Sequence, residues 1–136
     1  MKLFSALLVA ILLTVSENYV PAPALKQDAV VNMQGRITNS DKLDEFIDNV
    51  QMKQECEIQV VYYTDEGAPI IRTLYYDGST IKSIFDNTRD HYSNINDRIV
   101  KVHYFVDIKV VTENGQRCYY LIDKNGKEEW IFIAII

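Results

Sequence analysis

The stretch "CEIQVVYYTDEGAPIIRTLYYDGSTIKSIFD", residues 56–86, decides the fold. β-branched and aromatic residues fill three runs, and the two breaks between them carry turn chemistry: Gly67 and Pro69 in "DEGAP", then the Asp77–Gly78 pair. An Asp-Gly pair between such runs is a strong hairpin signal because both central residues tolerate positive φ. The three runs are therefore expected to be consecutive antiparallel strands.

Downstream, "IVKVHYFVDIKVV" alternates. Val100, Val102, Tyr104, Val106, Ile108 and Val110 share one side, while Lys101, His103, Asp107 and Lys109 take the other. The run exceeds the usual strand length, so it predicts strong twist or a bulge near His103 to Phe105. "TENGQ" and "DKNGK" each contain Asn-Gly and bracket the strand "RCYYLI", and "EEWIFIAII" closes the chain. Its continuous apolar run reads as a strand buried on both faces or as an edge open to a partner.

Upstream the period changes. Leu43, Phe46, Ile47 and Val50 fall at i, i+3, i+4 and i+7, the apolar stripe of an α-helix over about residues 40–52. Thr38, Asn39 and Ser40 supply N-cap chemistry, and Asp41, Asp44 and Glu45 place negative charge at the positive end of the helix dipole. "KQDAVVNMQG" reads as a short lead-in that pairs at most at a sheet edge, with no site. The expected fold class is α+β: one N-terminal amphipathic helix packed on an antiparallel meander sheet of about five to six strands, in a single domain over residues 25–136.

The first residues have a different character. Lys2 precedes an apolar run from Leu3 to Val15, then a polar stretch and "APA" at Ala22–Ala24, the layout of a secretory signal peptide over residues 1–24. The run is shorter than the roughly 20 residues that span a bilayer. The expectation is export and a secreted or envelope-surface location, with membrane contact only through an uncleaved N-terminal segment. A net charge of −5 argues against a nucleic-acid partner, which requires clustered Lys and Arg.

The series "VVNMQGRITNSDKLDEFIDNV", "IQVVYYTDEGAPI" and "LYYDGSTIKSIFDNTRD" resembles a family of small exported proteins of Gram-positive, spore-forming bacteria known as domain of unknown function four-three-six-two. The resemblance spans roughly Val30 to Asp90. It implies an envelope protein, typically a lipoprotein, yet this N-terminal segment has no cysteine for a lipid, which points to a freely secreted product. The family has no assigned catalytic residues to carry over.

The densest polar patch follows the third strand: Asp86, Asn87, Thr88, Arg89, Asp90, His91 and Tyr92. It reads either as a ligand-binding loop at a strand end or as a turn in which Asp86 and Thr88 satisfy backbone donors while Arg89 pairs with an acid. Asp86, Thr88, Asp90 and Asp97 match calcium-loop spacing, but His91 and Asp97 stand where an EF-hand needs Gly and Glu, so no metal is expected. Cys56, Cys118, His91 and His103 form no nucleophile or zinc motif, so neither cofactor nor catalysis is expected.

In an exported protein, Cys56 and Cys118 are either a disulfide stapling the sheet, worth roughly 4 kcal/mol by loop entropy, or two free thiols. Tyr62, Tyr63, Tyr75, Tyr76, Tyr119 and Tyr120 come as three adjacent pairs. Tyr63, Tyr75, Tyr76 and Tyr119 are candidates for an exposed aromatic binding face, against ordinary cross-strand packing. The composite expectation is a non-catalytic module that binds another envelope or extracellular protein. The alternative is a small-ligand or cation-binding protein, or a hydrolase, using the Asp86–Tyr92 loop.

Overall fold

In a computed structural model, which describes residues 21–135, the apolar stripe forms helix α1 over Asp41–Gln51 and buries Leu43, Phe46, Ile47 and Val50. Ser40 occupies the N-cap position without a side-chain capping bond. Asn39 instead donates from Nδ2 to the Ala29 carbonyl at 3.1 Å.

The helix is not the first element. Strands β1 (Val30–Met33) and β2 (Arg36–Thr38) precede it as a hairpin. β1 then pairs in parallel with β3 (Cys56–Tyr63), Val30 opposite Val60. The lead-in is thus an interior strand, and α1 lies in the crossover between two parallel strands rather than ahead of a meander. The β1–β2 turn holds Gln34 at φ 52° and Gly35 at φ 91°. Glutamine seldom adopts the left-handed region, which hid this hairpin from a reading by turn residues.

β4 (Pro69–Tyr76), β5 (Ile81–Asp86) and β6 (Val100–Phe105) complete a six-stranded sheet in the order β2-β1-β3-β4-β5-β6. The long alternating run does not stay in it. The chain bends at Val106, and β7 (Asp107–Glu113), β8 (Gln116–Ile122) and β9 (Glu128–Ile135) form a separate three-stranded antiparallel sheet. Phe105 and Ile108 are both buried while Tyr104 and Val106 are exposed, so the bend changes the phase of the pattern. Asn114 and Gly115, both at positive φ, make the tight β7–β8 turn that Asn-Gly predicts. At Asp77 a longer turn forms, in which the carboxylate accepts from the Ser79 and Thr80 amides at 2.9 and 2.7 Å. β9 is an edge strand of the second sheet, with Ile131, Phe132 and Ala134 buried. A register shift against Tyr119 and Tyr120 lets the consecutive Ile131 and Phe132 both face inward.

One core joins these layers. Leu43, Phe46 and Val50 of α1 share it with Ile58, Leu74, Ile81 and Phe105 of the first sheet and Tyr119, Leu121 and Phe132 of the second. A polar tie between helix and second sheet adds direction to this packing. Asp44 on α1 accepts two hydrogen bonds from the Arg117 guanidinium, each 2.7 Å, and one from the Tyr119 hydroxyl at 2.9 Å. Burial and then the Asp44 bond push the Tyr119 phenol from 10 up to about 12.

The opposite face of the first sheet is covered by the segment before β1. Buried Gln59 receives the Lys26 amide at 2.7 Å and donates to the Ala24 carbonyl at 2.9 Å and to Thr73 Oγ1 at 3.2 Å. The Ala24 carbonyl, on the leader side of the expected cut, is therefore part of the domain's hydrogen bonding. Residues 1–20 of the expected signal peptide lie outside the described residues.

Two measurements check the interlayer tie. Asp44→Ala is expected to cost about 2 kcal/mol in urea denaturation, chiefly because it strands the buried Tyr119 hydroxyl, and a cycle with Arg117→Ala is expected to show about 1 kcal/mol of coupling. Because the folded phenol titrates above its unfolded value, its contribution is complete below pH 10 and is lost as pH rises through about 12. Denaturation curves of Tyr119→Phe should lack that part of the alkaline loss.

Candidate functional site

Strand register assembles a site whose members are scattered in the sequence. Across the helix-side face of the first sheet, Val60, Arg72, Phe85 and Lys101 stand opposite one another in one row, and Ile58, Leu74, Ser83 and His103 in the next. β9 passes over this face. Between it and the sheet lies a cavity of about 350 Å³ lined by Arg72, Ser83, Phe85, Lys101, His103 and Glu129. A smaller hollow of about 120 Å³ continues beyond Arg72, bounded by Val60, Tyr62, Ile70, Trp130 and Ile131. Arg72 and Phe85 line both, so a hollow lies on either side of the guanidinium.

Arg72 is the electrostatic centre. Its side chain is 15% exposed, and Nη1 donates to Ser83 Oγ and Glu129 Oε2, both at 2.9 Å. The guanidinium carbon sits 5.3 Å from the Phe85 ring centroid, in cation–π range. Burial pulls the Arg72 pKa below its usual value, and Glu129 opposes that shift. Its Nε and Nη2 have no acceptor among the described residues, and neither does the ammonium of exposed Lys101. Trp130, 49% exposed, and Tyr62, 43% exposed, border the far side.

The residues that stand out in the sequence are placed elsewhere. Asp86 alternates with Phe85 and pairs with Ile71 and Val100, so it points away from the groove. Its carboxylate is 1% exposed and accepts from the Thr88 amide and hydroxyl at 2.8 and 2.6 Å and from Arg89 at 3.3 Å. Asn87 bridges the loop's two ends, donating to the Asp97 carbonyl at 3.0 Å and accepting from the Ile99 amide at 2.6 Å. Asp90 accepts from the Tyr92 amide at 3.1 Å. This is the turn-building geometry the sequence offers as one alternative. His91 and Tyr92 extend outward from it, Tyr92 being 73% exposed. No group of three or more His, Cys, Asp or Glu able to hold a metal occurs among the described residues.

The tyrosines do not form a common face. Tyr76 is buried and donates to the Val50 carbonyl at 3.3 Å, and Tyr119 is buried against Asp44. Tyr63 packs with the cluster of Ala29, Val61 and Ile71, while Tyr75 lines a hollow with Pro21 and Pro23. Adjacent residues in a strand face opposite ways, which divides each pair.

The disulfide is also corrected: Cys56 and Cys118 are both free thiols. Tyr119 faces the core, so Cys118 beside it faces outward on the second sheet, whereas Cys56 packs against the core between sheet and helix. Burial pushes the Cys56 thiol up, away from thiolate reactivity.

A helix set against a six-stranded sheet, with a second sheet docked beside it to leave a cation-floored groove, defines a small two-sheet α+β domain. The chain belongs to the family described as domain of unknown function DUF4362, whose model matches residues 26–120, from the segment beneath Gln59 to β8. Glu129 and Trp130 stand beyond that span. No curated protein and no solved structure matches the chain.

Proposed function

We propose that the protein is an exported, non-catalytic module that binds an extended segment of another envelope or extracellular protein in the groove between its sheets. The observation that carries this reading is the pair of hollows that flank Arg72 on both sides. Two hollows flanking one cation suit a chain segment laid across it better than a compact metabolite. Aromatic Phe85, Tyr62 and Trp130 offer rigid contact area, and Arg72 with Lys101 gives the floor a positive field that favours an acidic partner surface. The free, burial-raised Cys56 and the hydrogen-bonded Asp86 loop supply no activated nucleophile or base in support of the hydrolase alternative.

Site-specific photo-crosslinking in the producing cell tests this reading. A benzophenone side chain at position 85 is expected to give an adduct whose mass spectrum maps to one segment of an exported protein, and to lose it when Arg72 is replaced by Gln. An adduct only from a probe at position 92 would move the function to the Asp86–Tyr92 loop and refute the groove.

A further inference from the structure

Resting on that groove reading, we infer that Arg72 is the receptor for a single carboxylate on the bound segment, an Asp or Glu side chain in mid-segment, and that Glu129 occupies this receptor in the free protein.

The geometry of the guanidinium carries the argument. Arginine offers five N–H donors in a planar fork suited to bidentate contact with carboxylate. Arg72 spends only Nη1 on the protein, sharing it between Ser83 Oγ and Glu129 Oε2. Nε and Nη2 have no acceptor among the described residues, although the side chain is only 15% exposed and lines two hollows. A cation needed only to bind Glu129 would more economically meet it through two nitrogens, as Arg117 meets Asp44 through Nη1 and Nη2. Neither nitrogen is among the fully buried side-chain atoms without a partner, so both keep an open side from which an incoming carboxylate can reach them.

The cavity's charge favours a carboxylate over a neutral group. Arg72 and Lys101 face one lining carboxylate, Glu129, a formal surplus of one positive charge over these three side chains. Glu129 is 44% exposed on an edge strand, so its release to water gives up the Arg72 ion pair but gains hydration. The incoming carboxylate therefore exchanges with an internal one, and Glu129 sets a threshold that an uncharged segment does not overcome. Since hollows flank Arg72 on both sides, the carboxylate belongs to a side chain within the segment, with apolar neighbours packed on Tyr62, Ile70 and Trp130.

Three probes separate the possibilities: a capped peptide of alternating threonine and valine with one central glutamate, its glutamine counterpart, and a version whose only carboxylate is its free C-terminus. Trp130 is the only tryptophan in the chain, so its fluorescence reports the groove directly, and NMR of the Arg72 Nε–H reports the fork. The glutamate peptide is expected to bind at least about tenfold more tightly than the glutamine peptide, the magnitude of a hydrogen bond to a charged group. Glu129→Gln is expected to tighten the glutamate peptide severalfold with no change for the glutamine peptide. Lys101→Gln, at an exposed position, is expected to weaken the glutamate peptide alone. Equal binding of the glutamate and glutamine peptides would overturn the carboxylate receptor while leaving the groove reading intact. Tightest binding of the free-C-terminus peptide would overturn the mid-segment assignment. No response to any peptide at millimolar concentration would remove both the receptor and the groove reading beneath it.

Discussion

The architecture turns on one carboxylate. Asp44 receives the Arg117 fork and the Tyr119 hydroxyl, and through them α1 grips the second sheet. The two sheets share a continuous chain only at the Val106 bend, where the Val106 amide donates to the Ile122 carbonyl at 2.8 Å. A bend alone leaves the second sheet free to pivot. A bidentate ion pair with a buried phenol beside it is directional in a way that apolar packing is not, and it fixes the angle at which β8 and β9 cross the first sheet. With the sheets held at that angle, apolar residues of both close around Phe46, Leu74, Phe105 and Phe132, and the residues past the end of that core are left as a groove.

That groove is where the fold departs from simple inside-outside partition. A row that begins with buried Val60 continues through Arg72, Phe85 and Lys101, so a cation sits at a position of the sheet that packing alone would give to a hydrophobe. Taking a guanidinium out of water is costly unless its donors are met; Ser83 and Glu129 meet Nη1, and Nε and Nη2 stay open to solvent at the groove. Retaining such a group beside aromatic surface is characteristic of recognition sites, where a few fixed polar groups orient a ligand on an apolar bed. On the opposite face of the same sheet, buried Gln59 is satisfied by the chain's own Ala24, Lys26 and Thr73.

The sequence made local features plain and long-range ones obscure. The helix followed from four apolar residues at helical spacing, and the strands around "DEGAP" and Asn114–Gly115 from their turn chemistry. The β1–β2 hairpin escaped because Gln34 stands in a backbone conformation its side chain does not advertise. The division into two sheets escaped because the alternation from Val100 to Val110 runs unbroken through the residue at which the chain changes sheets. The same limit governed the site. Asp86 to Tyr92 stood out because their polar groups are adjacent in the chain, and adjacency is what lets them satisfy one another in a turn. Arg72, Lys101 and Glu129 lie on three strands, and only register and the docking of β9 bring them together. A lone arginine between Ile71 and Thr73 in a strand of hydrophobic residues was the available hint, since alternation put it on the face shared with Leu74.

The central claim is that the second sheet is locked to the first, so that the groove exists before any partner arrives. Native-state hydrogen exchange tests it most directly. If the sheets form one cooperative unit, the amides of Tyr119, Leu121 and Phe132 will exchange with the same opening free energy and denaturant dependence as those of Ile58, Leu74 and Ile84. Exchange of β7–β9 through a separate, lower-energy opening would contradict the account, because a sheet that detaches on its own cannot hold Glu129 and Trp130 over Arg72.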